Sequence, residues 1–160
     1  MLISPESLAI VGGALALAGG LAGSSIGIGI AGSAGAATLS EEPGQLRNVI
    51  LLASLPMTQT FYGLITLILV LTTVLPRLGA MTDGGGMGLA VLGIGILAGA
   101  AEAFSGAYQG AVCASGISLL PKTKGRILTN SMMLAVFVEL IGVFGLVFAI
   151  MSFALLGLFG

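Results

Sequence analysis

The stretch 131-SMMLAVFVELIGVFGLVFAI-150 is apolar almost throughout, with a single carboxylate, Glu139, near its middle. About 20 consecutive apolar residues are enough for a helix to cross a bilayer. A charged side chain at the centre of such a helix costs about 2.5–3.5 kcal/mol even on insertion scales, so an intramembrane glutamate marks a functional site.

The rest of the chain extends this reading. Of its 160 residues 57% are hydrophobic and 7% are charged, against about 25% charged in a soluble domain. Charges cluster at Glu6, at Glu41, Glu42 and Arg47, at Arg77 and Asp83, and at Lys122, Lys124 and Arg126. The apolar runs between them predict four spanning helices at about 7–39, 47–76, 87–120 and 127–158. Pro43 with Gly44, Pro76 with the glycines 84–86, and Pro121 with Gly125 mark the turns. The predicted fold is therefore an all-α membrane protein of two helical hairpins, 1–80 and 81–160.

Four of the five Lys and Arg residues lie in the first and third turns. The positive-inside rule places the loops 40–47 and 121–126 in the cytoplasm and both termini on the opposite side of a cell membrane. Glu6 stands where a secretory leader would carry basic residues, so the first apolar run is expected to be a retained helix. Cys113 is the sole cysteine, which excludes an internal disulfide, and small neighbours suggest a packing role. Histidine is absent, which excludes histidine-based metal and triad sites.

The hairpins also look duplicated. Ser24, Gly29 and Gly35 fall against Ser105, Gly110 and Gly116, and "FYGLI" (61–65) falls against "VFGLV" (143–147), which sets Met57 opposite Glu139. Small residues recur every four positions, at Gly19, Gly23, Gly27, Ala31 and Gly35 in the first helix and at Gly95, Gly99, Ala103, Ala107, Ala111 and Ser115 in the third. Such spacing lets backbones approach closely in lipid. It fits tight packing within one bundle, or a crowded inner circle where many copies meet.

Counted from the cytoplasmic turns, Glu139 lies 13 residues past Arg126, Gln59 lies 12 past Arg47, and Gln109 lies 13 before Lys122. All three then sit about 18–20 Å from one surface. Leu55, Thr58, Gln59 and Tyr62 share a helix face. A carboxylate, two amides and a hydroxyl suit a hard cation; the same amides and hydroxyl also suit interhelical hydrogen bonding. Pro56 removes a helix donor and is expected to free backbone carbonyls there. Glu102, seven residues before Gln109, lies about 10 Å deeper on nearly the same face; it reads either as a protonated structural carboxyl or as a second station on an ion path.

The segments "LPMTQTFYG" (55–63), "SGAYQGAVCASG" (105–116) and "FVELIGVFG" (137–145) resemble the duplicated rotor-ring subunit of V-type ATPases, the K, c or proteolipid subunit, in its sodium-pumping bacterial form. The resemblance covers nearly the whole chain. It implies a homo-oligomeric ring in lipid that binds one Na+ per subunit. The implied ligands are the backbone carbonyl of Leu55, the Thr58 hydroxyl, the Gln59 and Gln109 amides and the Glu139 carboxylate, with Tyr62 holding the glutamate closed. Leu140 stands where some sodium-binding relatives have a hydroxyl residue, and coupling to H+ remains the alternative.

The implied partners are a membrane stator with an essential arginine and central-stalk subunits that meet the cytoplasmic loops, with no nucleic acid. No P-loop is present, so the implied role is non-catalytic, as an ion-translocating part of an ATP-hydrolysing complex. The rival from another class is a small four-helix cation/proton antiporter. That rival calls for aromatic side chains around the carboxylate, and the chain has no tryptophan and two tyrosines. A purely structural pore protein accounts for the small-residue helices but leaves the Glu139, Gln59 and Gln109 layer without a use.

Overall fold

Four apolar helices account for nearly all of the structure, a computed structural model that describes residues 4–81 and 85–159. They are α1 (Pro5–Glu41), α2 (Pro43–Ala80), α3 (Gly85–Ser118) and α4 (Leu128–Leu155). The predicted second turn, including Asp83, falls largely outside the described residues.

Local chemistry sets the helix ends. Ser4 caps α1 by accepting a hydrogen bond from Ser7 N at 3.1 Å, and Pro5 and Glu6 occupy its first turn, where a missing N–H is harmless and a negative charge meets the helix dipole. α4 stops at Leu155, short of the predicted 158. Gly157 takes a left-handed φ of 70°, and Leu158 N donates back to Phe153 O at 2.9 Å; this six-to-one bond closes the last turn. α3 stops at Ser118 because Pro121 follows, and a single turn, Leu120–Thr123, leads into Lys124 and Gly125 at φ 50° and 80°.

α2 is one rod with three changes of winding. A 3-10 turn opens it at Pro43–Gln45, another interrupts it at Leu55–Met57 around Pro56, and a π turn spans Val70–Val74 just before Pro76. Each lies beside a proline that withholds a backbone donor, so the ladder tightens or widens there.

The most extensive packing joins α1 to α3; α4 lies on α3, α2 lies on α1, and α2 and α4 touch along one line. Glycine permits the α1–α3 approach. A β-carbon on Gly110 would overlap the backbone of Gly27, and one on Gly19 would overlap that of Gly99. The buried stripe of α3 runs through Gly95, Gly99, Gly106 and Gly110 and leaves Ser115 exposed. A strict step of four drifts about 40° per step around a helix of 3.6 residues per turn, so the contact line leaves the predicted series.

Gly125 lies so close to Asn48 and Gln45 that a β-carbon there would be 2.9 Å from Asn48 Nδ2. The first and third turns therefore meet at one end of the bundle. Cys113 is fully buried in an apolar cluster with Ala31, Leu52 and Ala135 near that end, and a second cluster around Ala16, Val70, Val91 and Ala149 fills the other. Buried polar residues lie between them in sequence along the helices: Ser24, Gln59, Thr66, Glu102, Ser105 and Gln109. Outward, large side chains such as Phe61, Phe104, Phe137 and Phe148 are exposed, a surface suited to lipid or to further copies of the chain and unsuited to water.

Candidate functional site

The polar layer closes on Glu139. Its Oε1 accepts a hydrogen bond from Tyr62 Oη at 2.9 Å, and its Oε2 accepts from Gln109 Nε2 at 3.3 Å. Gln59 Nε2 donates to Gln109 Oε1 at 2.9 Å and to Ser105 Oγ at 3.0 Å. The Thr58 hydroxyl lies 3.2 Å from both Leu55 O and Gln59 Oε1. Leu55, Thr58, Gln59, Gln109, Glu139 and Tyr62 thus form one loop of contacts that leaves α2, crosses α3 and α4, and returns to α2.

Each helix contributes a feature that its sequence makes necessary. The 3-10 turn at Leu55–Met57 turns the Leu55 carbonyl toward both the Thr58 N–H and its hydroxyl. Because Gly20 and Gly63 carry no β-carbon, α1 and α2 pack backbone to backbone at Gln59 and again one turn beyond it. Thr60 N, next to that residue, donates to Ser24 Oγ at 3.1 Å, which anchors the distorted stretch to α1. Gln59 and Gln109 are fully buried, whereas Glu139, Tyr62 and Thr58 are half-buried and face the edge where α2 and α4 meet.

Leu55, Thr58, Gln59, Tyr62, Gln109 and Glu139 are brought together, Glu102 stays outside the loop, and Pro56 is buried against Gly27. Met57, the counterpart of Glu139 in the first hairpin, is 47% exposed. Sequence reasoning missed Ser105. Its hydroxyl donates to Val138 O at 2.9 Å while accepting from Gln59, and so ties α3 to α4 beside the glutamate. A signal was available: Ser105 lies one turn from Gln109 on the same face and aligns with Ser24, the serine at the same place in the first hairpin.

The donor set is carboxylate, amide, hydroxyl and carbonyl oxygen. Among the described residues no three His, Cys, Asp or Glu side chains converge. Such a set suits a hard, weakly demanding cation and lacks the soft or imidazole ligands that select transition metals.

Two matches to the profile of the ATP synthase C-subunit family cover residues 11–70 and 92–152, one in each hairpin. The A-type ATP synthase subunit K of Methanocaldococcus jannaschii is 38% identical over 104 residues, which are 62% of this chain and 47% of that protein. The V-type sodium ATPase subunit K of Enterococcus hirae is 31% identical over 125 residues, 78% of this chain and 76% of that one. The chain therefore spans about half the length of the archaeal relative.

Proposed function

Given that the chain belongs to the ATP synthase C-subunit family, we propose that it is the membrane rotor subunit of a V-type ATPase, binding one Na+ per four-helix subunit at Glu139. The observation that carries this reading is the closed loop through Leu55, Thr58, Gln59, Gln109, Glu139 and Tyr62. It joins a carbonyl, a hydroxyl, two amides and one carboxylate at the edge where α2 and α4 meet, and oxygens of these kinds suit a sodium ion. The name of the bacterial relative, a sodium ATPase subunit, supports the choice of ion.

Copies of the chain form a ring through its exposed apolar faces, with the two hairpins, 1–80 and 81–160, as duplicated halves of each subunit. With the ion in place the carboxylate is neutralised, so the site crosses lipid at far lower cost than a bare charge. At the stator, an arginine draws the emptied carboxylate, and the ion leaves by one path and is replaced by another. Tyr62 and Gln109 hold the carboxylate turned inward between these events. The turns at 40–47 and 121–126, which meet at one end of the bundle, face the cytoplasm and the central stalk, and the termini face the other side. ATP is hydrolysed elsewhere in the complex. Because Met57 replaces a carboxylate in the first hairpin, each ion is accompanied by four helices, which favours pumping over synthesis.

Carbodiimide labelling of the purified assembly near pH 6, mapped by mass spectrometry with and without sodium, tests the reading. Reaction at Glu139 that sodium suppresses is the expected result. Reaction that sodium leaves unchanged but that falls with rising pH assigns protons instead. An inert Glu139 overturns the site.

A further inference from the structure

Glu102 takes no part in the loop around Glu139, yet it is fully buried at the middle of α3. Among the described residues its two carboxyl oxygens are the buried side-chain polar atoms left without a hydrogen-bond partner. They lie against the glycine face of α4. A β-carbon on Gly142 would be 2.8 Å from Glu102 Oε2, 3.1 Å from Ser105 Oγ and 3.3 Å from Gln59 Cγ, and one on Gly145 would be 3.3 Å from Glu102 Oε1. The carboxyl thus converges with Ser105 and Gln59 on one spot of α4, a single turn along that helix from Glu139.

No side chain is in place to balance its charge. α1 carries ionisable residues only near its ends, at Glu6 and Glu41; α2 carries Arg47 and Arg77 towards its ends and Tyr62 between them; α4 carries Glu139 alone; and α3 adds Tyr108 and Cys113. Away from their ends the four helices therefore hold two carboxyls, Glu102 and Glu139, and no cationic side chain. A buried charge without a partner is costly in a protein interior and more so within a bilayer, and an orphaned buried polar group requires an explanation, of which a bound ion is one.

We propose that Glu102 is a second, exchangeable cation site, at which the subunit holds a monovalent cation in addition to the one at Glu139. Ser105 and Gln59 are the link between the two, since the Ser105 hydroxyl and the Gln59 γ-methylene meet the same spot of α4 as Glu102, while that hydroxyl and the Gln59 amide join the network around Glu139. The ligand is a sodium ion or a proton, which share the chemistry of neutralising a carboxylate. The inference rests on the rotor reading for its sodium arm, and the test separates the two.

Equilibrium binding of radioactive sodium to the purified full-length assembly is measured for the native chain, Glu139→Gln and Glu102→Gln. If sodium is the ligand, the native subunit binds two ions and each variant one. If a proton is the ligand, the native subunit binds one ion, and an infrared carbonyl band of a protonated carboxyl disappears in Glu102→Gln and shifts on transfer to heavy water. A band that does not shift, or no band, together with one sodium per native subunit and none in Glu139→Gln, overturns the proposal. Glu139→Gln keeps Glu102 in place and so reports on this site even where Glu102→Gln does not assemble. No sodium at Glu139 with an exchanging Glu102 band would refute the sodium reading of the main site and leave this one standing.

Discussion

Tyr62→Phe isolates what holds the glutamate inward. The substitution keeps the ring and its packing and removes one hydroxyl, whose oxygen lies 2.9 Å from Glu139 Oε1. A hydrogen bond to a charged group is worth about 1.5–3 kcal/mol. The other donor to this carboxyl, Gln109 Nε2, stands at 3.3 Å, beyond the usual N–H···O range of about 2.7–3.2 Å, and is a weak substitute. At 1.4 kcal/mol per factor of ten, the sodium concentration that half-protects Glu139 from carbodiimide should rise by about 10- to 100-fold. The assay is protection of the purified ring at fixed pH, read by mass spectrometry at Glu139. Tyr108→Phe is the control: Tyr108 is the other tyrosine, 64% exposed and outside the loop, and its variant should titrate like the native chain. A shift of less than about threefold in Tyr62→Phe, or an equal shift in Tyr108→Phe, would refute the argument that the tyrosine hydroxyl closes the site.

Two other substitutions probe the frame. Ser105→Ala removes the hydroxyl that accepts from Gln59 and donates to Val138 O; one such bond is worth about 0.5–1.5 kcal/mol, so the sodium midpoint should rise about two- to tenfold, and an unchanged midpoint would show that Gln59 does not need this support. Gly110→Ala sets a β-carbon into the backbone of Gly27, where no rotamer change relieves it, whereas Gly29 has open space around it; overpacking costs about 1–3 kcal/mol or more, so Gly110→Ala should lose the detergent-resistant assembly on a gel while Gly29→Ala keeps it.

Glu139, Gln59 and Gln109 were legible because depth in a straight helix follows from counting residues at 1.5 Å each, and the basic turns supplied a common origin. Thr58 and Tyr62 were legible because they share a helix face with Gln59. Ser105 was not, since a serine in a row of small residues reads as packing until a partner on another helix is seen. The buried stripe of α3 also diverged from the expected series, because the four-residue step and the helical repeat differ.

The sequence by itself indicated a multi-pass membrane protein of four helices, with its first and third turns near Pro43 and Pro121 and its polar residues confined to a few positions along the spans. These properties depend on one helix at a time, on transfer free energies and on rise per residue. Only the tertiary structure decided which atom meets which: that Gln59 spends its amide on Gln109 and Ser105, that Ser105 bridges α3 to α4, and that Glu102 is left facing two glycines without a partner. Those outcomes turn on the rotation of each helix about its axis. That rotation is set by where glycines allow backbones to touch, a property of helix pairs that no single run of residues contains.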